Sequence, residues 1–360
     1  MKTLKFVITS VLVWIILGVG IAKAAEYTKQ YKKEFTVDAK TLLKIDNRYG
    51  DVTISNWESN KAYLEVTVAI ENGNKERANE LLDYIIIDLS KDGDVIQAIT
   101  TIDEKYNKRS HNSDSNSLKI NYNIKVPNYI SLELINKYGN VYIDEILGYS
   151  NIAVKYGTLQ AKNLSRGKVQ PLNRIYLSYT SKVAQIEKCD WISIEMKYSK
   201  LNIEKAHAVS LITKYSNLKV ADASSIVAES RYDNYTIDKV NNFVLTSGGY
   251  SDYILKNVSR KVNINASYSD IKIGMLGKDF SSLDLDNRYG SIKVNVDPMS
   301  VFEIIGHVRY GSISYPDNSK VNKITESSET TISGTVGSGE PVGKMKITAK
   351  YTTVKINAVE

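Results

Sequence analysis

Arg48-Tyr49-Gly50-Asp51-Val52-Thr53-Ile54 sets a pattern that the chain repeats eleven more times. It usually reads as a basic residue, then Tyr, then Gly or Ser, a polar residue, and apolar residues at the third and fifth positions after the Tyr. The later copies centre on Tyr138, Tyr156, Tyr179, Tyr198, Tyr215, Tyr232, Tyr250, Tyr268, Tyr289, Tyr310 and Tyr351. From Tyr138 to Tyr310 neighbouring copies lie 17–23 residues apart, and the last gap, 41 residues, is about two such steps. A period near 20 residues predicts a solenoid, because a coil of that length cannot bury its own apolar face and must stack on its neighbours. With 25 Tyr against 5 Phe and 5 Pro, and almost no helical periodicity after Ser131, the coils read as strands. The expected fold is all-β, a single-stranded parallel β-solenoid with repeats of about 20 residues.

Parity within a coil assigns faces. Leu285, Asn287 and Tyr289 are spaced by two, as are Ile264, Ala266 and Tyr268, which places Tyr on the apolar side. After the Gly or Ser the alternation changes phase, and a turn or bulge at that residue explains the change. Each Tyr then sits at a corner, aimed inward or along the wall. Coils stacked at about 4.8 Å would form a ladder of rings worth on the order of 1 kcal/mol per pair. The residue before Tyr has the opposite parity and faces water. It is basic at Arg48, Lys137, Lys155, Lys197, Lys214, Arg231, Arg288, Arg309 and Lys350, and the line is interrupted at Ser178, Gly249 and Ser267. Such a line keeps a strand wall soluble and discourages edge association. The sharper reading is a groove for an anionic polymer, such as an acidic glycan or lipid headgroups, with exposed Tyr nearby for stacking on sugars.

Residues 25–130 read as a separate β-rich cap containing the first coil, and residues 131–360 as the solenoid. In the cap, Leu43 to Ile54, Ala62 to Ile70, Val95 to Ile102 and Leu118 to Val126 are strand-like. Asn74 to Leu82 predicts one short helix, with Ala78, Leu81, Leu82 and Ile85 on one face. Asp103 to Ser117 is polar and reads as a loop. Asn318 to Gly343, rich in Ser, Thr and Gly, reads as an excursion before a last coil at Lys350 to Ile356, whose open edge could pair with another chain.

Residues 1–24 predict a secretory signal: Lys2 and Lys5, an apolar run from Phe6 to Ala22, and Ala22-Lys23-Ala24 before the cleavage point. An uncleaved anchor is the rival reading. No later stretch is long and apolar enough to span a bilayer, so no transmembrane segment is expected after cleavage. The net charge of +7 includes three lysines of the leader, Lys2, Lys5 and Lys23, and is +4 without them. That mild excess is not a nucleic-acid footprint. Cys189 is the sole cysteine, so stability must come from the core rather than from an internal disulfide.

Chemistry is sparse. His111, His207 and His307 are isolated, no spacing suits a transition metal, and no cofactor is expected. Ser165-Arg166-Gly167-Lys168 matches a serine–lysine spacing without any companion motif. Asp252 and Asp270 share the second position after Tyr on adjacent coils and could form a carboxylate pair or a calcium site. The same position elsewhere holds Asn140, Thr158, Asn217, Asn234, Ser291 and Ser312, which favours ordinary turn chemistry.

With the leader, the Asn47 to Ile54 segment, the helix near Asn79, Val126-Pro127-Asn128 and the recurrent Tyr-Gly-x-Val/Ile-x-Ile coils, the chain resembles the bacterial putative-adhesin β-solenoid family. The resemblance implies an exported, right-handed solenoid in the periplasm or at the cell surface, without catalytic residues. Many relatives have Ser-Gly where this chain has Tyr-Gly, so no role for the Tyr line comes from the resemblance. The expected function is a non-enzymatic adhesin-like binding or structural module. Its basic wall would contact an anionic glycan or another envelope component. The alternative is a polysaccharide-degrading β-helix enzyme.

Overall fold

The structure is a computed structural model that describes residues 25–110 and 117–359. Residues 1–24, on which the expected signal falls, and His111 with the middle of the 103–117 loop, lie outside the described residues. All strands join in one continuous sheet.

The chain opens with β1 (Ala25–Thr36), β2 (Leu42–Arg48), β3 (Val52–Asn56), β4 (Lys61–Asn72) and helix α1 (Lys75–Asp83). Asn74 caps the helix, its side-chain oxygen accepting from the Arg77 N–H. β5 (Ile85–Asp92), β6 (Val95–Ile102), α2 (Glu104–Ser110) and β7 (Ser117–Val126) follow. The loop expected from Asp103 to Ser117 is thus partly helical: Tyr106 is buried among core residues, and its burial orders the turn around it. β2 and β3 flank the first motif tyrosine. β2 pairs in parallel with β6, and β3 with β7. On the far side β7, β4 and β1 pair antiparallel, as do β6 and β5, so the parallel stack ends in an antiparallel layer.

The stack continues through β8 (Ser131–Lys137) and β9 (Val141–Glu145), β10 (Ser150–Lys155) and β11 (Leu159–Leu164), then β12 (Asn173–Ser178) and β13 (Ala184–Lys197). From there the strands lengthen: β14 (Lys200–Lys214), β15 (Asn217–Arg231) and β16 (Asn234–Gly249) each run nearly from one Tyr to the next, and β17 (Asp252–Leu276) and β18 (Ser282–Val296) continue through the corners at Tyr268 and Tyr289. All of these neighbours pair in parallel. Inward positions are Ile, Leu, Val and Ala at essentially zero exposure, and they form one continuous core from Val37 to Ile356. Tyr122, Tyr235, Tyr253, Phe243, Phe280 and Phe302 are its largest buried rings.

Two sequence expectations are corrected at the C-terminal end and at the corners. β19 (Phe302–Arg309) and β20 (Ser312–Ser314) lead into a hairpin of β21 (Ser319–Glu326) and β22 (Glu329–Val336), and β22 lies antiparallel along β19. With that side of β19 occupied, the last strand, β23 (Gly343–Ala358), inserts between β18 and β19, in parallel with both. Tyr351 therefore stacks between Tyr289 and Tyr310 rather than beyond them. Two strands at this end pair on one side only: the short β20, against β23, and β21, an exposed strand carrying Lys320, Lys323 and Glu326, which is the charged kind of edge that resists pairing.

At the corners, the residue in the left-handed turn is the Tyr; of the Gly, Ser, Thr and Asp residues that follow it, only Gly290 also has a positive φ, 151°. All twelve motif tyrosines have φ between 50° and 63°. That left-handed turn swings the ring outward, so Leu285 and Asn287 are buried as parity predicts whereas Tyr289 is 42% exposed. The conformation costs an L-residue roughly 1–2 kcal/mol. Stacking on both neighbours, at roughly 0.5–1.5 kcal/mol per pair, offsets a cost of that order. The Tyr N–H also stays in the ladder, as in Tyr198 N–H to Lys214 O at 3.0 Å and Tyr215 N–H to Arg231 O at 3.1 Å. The Gly in Tyr-Gly coils answers a different need. A Cβ on Gly139 would lie 1.9 Å from the Gly50 carbonyl oxygen of the adjacent coil, and one on Gly157 would lie 1.8 Å from that of Gly139.

Candidate binding wall

Eleven ring contacts connect the twelve tyrosines into one unbroken stack, with centroids 4.7–5.3 Å apart and planes within 1–24° of parallel. Each inner ring has both faces covered by its neighbours. What solvent sees is the row of edges and hydroxyls, which corrects the expectation of rings free to stack on sugars.

Beside this row the residues preceding each Tyr are in strict register. Arg48 pairs with Lys137 and Lys137 with Lys155. After Ser178, Lys197 pairs with Lys214 and Lys214 with Arg231. After Gly249 and Ser267, Arg288 pairs with Lys350 and Lys350 with Arg309. The structure thus brings all nine predicted basic residues into one line of three runs, each of three cations on adjacent strands, and none of the nine is buried. Strand spacing sets their backbones about 4.8 Å apart. Like charges directly opposite on neighbouring strands destabilise a sheet. Part of that cost is met by the ladder: Lys155 lies 4.8 Å from the Tyr156 ring centre, and Lys214, Arg231, Arg309 and Lys350 lie 5.4–5.7 Å from the rings that follow them. Two of the nine also have acidic partners, Lys197 with Glu195 at 2.7 Å and Arg309 with Glu329 at 3.6 Å.

On the other side of Tyr49 and Tyr268, the Asp two positions on caps the neighbouring coil. Asp51 Oδ1 accepts from the Asn140 N–H at 2.7 Å, and Asp270 Oδ1 accepts from the Ser291 N–H at 2.8 Å and its hydroxyl at 2.7 Å. Asp270 therefore serves a turn. Among the described residues no group of three His, Cys, Asp or Glu could hold a metal ion. His207 packs against Trp191, His307 contacts Glu329 at 3.2 Å, and Lys168 sits 5.0 Å over the Trp191 ring.

Asp233 stands out in the sequence as a carboxylate one coil before Asp252, but the buried cluster it forms escaped the sequence reading. Asp233 occupies the position after Tyr232, where other coils carry Gly, Ser or Thr, and is 1% exposed. Its carboxylate accepts from the Thr213 hydroxyl at 2.6 Å, the Ser230 hydroxyl at 2.8 Å, and the backbone N–H groups of Ser216 at 2.7 Å and Arg231 at 2.8 Å. Burial pushes its pKa above the usual carboxylate value, against the hydrogen bonds that lower it. Thr213 also meets the buried Tyr235 hydroxyl at 2.6 Å. The signal was present: an Asp after Tyr, with Thr213 and Ser230 two residues before their tyrosines, where Leu177, Met196 and Ala266 stand in other coils.

Cys189 is 1% exposed, and burial pushes its thiol up to about 12. The native protein is therefore expected to resist iodoacetamide at neutral pH and to be modified only after unfolding. Rapid labelling of the native chain, read by mass spectrometry, would contradict this placement.

No family model and no curated protein matches the chain. Among solved structures it is similar to a putative cell adhesion protein from Clostridium sporogenes, at 10% identity and a TM-score of 0.18, covering 92% of this chain and 100% of that one. It is also similar to a putative adhesin from Bacteroides fragilis, at 9% identity and a TM-score of 0.28, covering 91% of this chain and 97% of that one. A putative lipid binding protein from Parabacteroides distasonis is similar at 9% identity and a TM-score of 0.27, covering 92% and 97%. Superposition is loose in each case. Among the described residues no helix is long and apolar enough to cross a membrane.

Proposed function

We propose that this protein is an exported, non-enzymatic binding module whose cationic line and adjoining row of tyrosine edges engage an extended anionic polymer, an acidic glycan of a cell envelope or its surroundings. The observation that carries this reading is that three runs of like charges in register fall on one line beside the tyrosine row. Solubility needs only charges of mixed sign, and the in-register run of Lys272, Lys293 and Lys355 on another wall stands alone, whereas this wall sets cations three in a row in three places, at a cost to the sheet. A polyanion lying along the stack would relieve that repulsion coil by coil.

In this reading residues 25–130 close one end of a single-stranded, right-handed solenoid formed by residues 131–360, and the leader directs it to the periplasm or the cell surface. The enzymatic alternative needs two carboxylates free to act together, and the commitment of Asp270 to Ser291 weighs against it.

The test is binding of residues 25–360 to an array of acidic and neutral glycans at low and physiological salt. Acidic glycans are expected to bind and neutral ones not, with affinity falling as salt rises, since exposed charges are screened beyond about 8 Å at physiological ionic strength. Equal binding of neutral glycans, or indifference to salt, would contradict the proposal.

A further inference from the structure

The middle of the wall is not uniform. β15 and β16 pair residue for residue up to Ala228 and Leu245, after which Glu229 faces Ser247, so Thr246 is an extra residue bulged out of the ladder. The Thr246 hydroxyl holds the bulge by donating to the Ala228 carbonyl at 3.2 Å. Gly248 and Gly249 follow at the gap in the cationic line. Gly248 has no room for a side chain, because a Cβ there would lie 2.6 Å from the Tyr253 hydroxyl. The result is a recess of about 410 Å³ beside Tyr250.

Its lining is chemically mixed. Lys214 and Arg231 supply cations and Glu229 and Glu195 carboxylates, while Ser247 and Ser267 bring hydroxyls. Thr213, Ser230 and Gly248 also line it, and Thr213 and Ser230 are tied from behind to buried Asp233. The Tyr253 hydroxyl beneath Gly248 is fully buried and has no hydrogen-bond partner. A floor fixed by a buried hydrogen-bond network, with exposed charges at the rim, is the construction of a preorganised polar site. A simple anion would be repelled by the two glutamates. A ligand that carries both a carboxylate and several hydroxyls suits both signs, since glutamates accept from hydroxyls while Lys and Arg bind the carboxylate.

We propose that the recess formed by the Thr246 bulge is a subsite for one uronic acid residue, its carboxylate against Lys214 and Arg231 and its hydroxyls against Glu229 and Ser247. The subsite rests on the wall reading, as the place where a polymer tracking the cationic line is recognised by one of its sugars.

The test separates the two. Labelled protein, residues 25–360, is titrated with free glucuronate and with glucose and followed by amide chemical shifts, while an oligogalacturonate is titrated calorimetrically. Glucuronate is expected to shift the amides of Ser230, Ser247, Gly248 and Gly249 and glucose to leave them unmoved. Glu229→Gln, at an exposed rim position, is expected to weaken glucuronate about tenfold or more while the salt dependence of oligomer binding stays the same. Oligomer binding with no glucuronate shift, or shifts spread evenly along the wall, would overturn the subsite and leave the wall standing. Localised glucuronate binding without oligomer binding would uphold the recess and overturn the wall. Binding of neither would overturn both.

Discussion

Replacing Tyr215 by Val is expected to destabilise the protein by about 3 kcal/mol, and replacing it by Gly by clearly less. Tyr215 stacks on Tyr198 at 4.9 Å and on Tyr232 at 4.8 Å, with a backbone φ of 52°. Val loses both stacks and adds a β-branched side chain to a left-handed turn that penalises it. Gly loses the same stacks but relieves the turn, so the difference between the two variants isolates the backbone term from the ring term. Because Tyr215 is 41% exposed, lost burial contributes little to either. Denaturation midpoints of the two variants check this. A Gly variant as unstable as the Val variant would mean that the turn geometry is not what the rings stabilise.

Asp233→Ala is expected to cost about 3 kcal/mol, because the hydroxyls of Thr213 and Ser230 can rotate to new acceptors but the N–H groups of Ser216 and Arg231 cannot, and each orphaned buried donor costs roughly 1–3 kcal/mol. The pH dependence has a definite sign. With its folded-state pKa raised, Asp233 holds its proton more tightly in the folded chain than in the unfolded one. Its ionisation therefore lowers stability as pH rises from the ordinary carboxylate value, 3.8, to the folded value, and adds no further slope above it. Comparison of wild-type and Asp233→Ala melting between pH 4 and 7 reads both effects. A variant within about 0.5 kcal/mol of wild type would show that the carboxylate does not organise the recess floor.

The repeat was legible because stacking imposes a period that composition cannot hide: the Tyr spacing, the buried Ile and Leu at alternating positions, and the outward Lys or Arg all follow from strand parity. The strands bounded by Leu43 and Ile54, Val95 and Ile102, and Leu118 and Val126 were visible for the same reason, as was the helix capped by Asn74. Parity failed at Tyr itself, since a left-handed residue breaks the two-residue alternation and nothing in Arg-Tyr-Gly announces that the Tyr rather than the Gly adopts it. The insertion of β23 before β19 was hidden because it depends on which edge the β21–β22 hairpin occupies, a competition between distant segments. The recess depends on a single extra residue, Thr246, and on the buried partners of Asp233. The first shows only as a coil of 18 residues after coils of 17, and the second only as an Asp where Ser was expected.

That a charged line rather than the overall charge binds the polymer is tested most directly by two variants with the same change in net charge. One reverses Lys197, Lys214 and Arg231 to Glu. The other reverses Lys272, Lys293 and Lys355, which lie in register with one another away from the line, beyond the Tyr corner. Calorimetric titration with an oligogalacturonate at low salt should show the first variant weakened by about a hundredfold or more and the second nearly unchanged, since several charge contacts are lost in one case and only long-range attraction in the other. Equal weakening of the two, or a first variant that binds like wild type, would contradict the account.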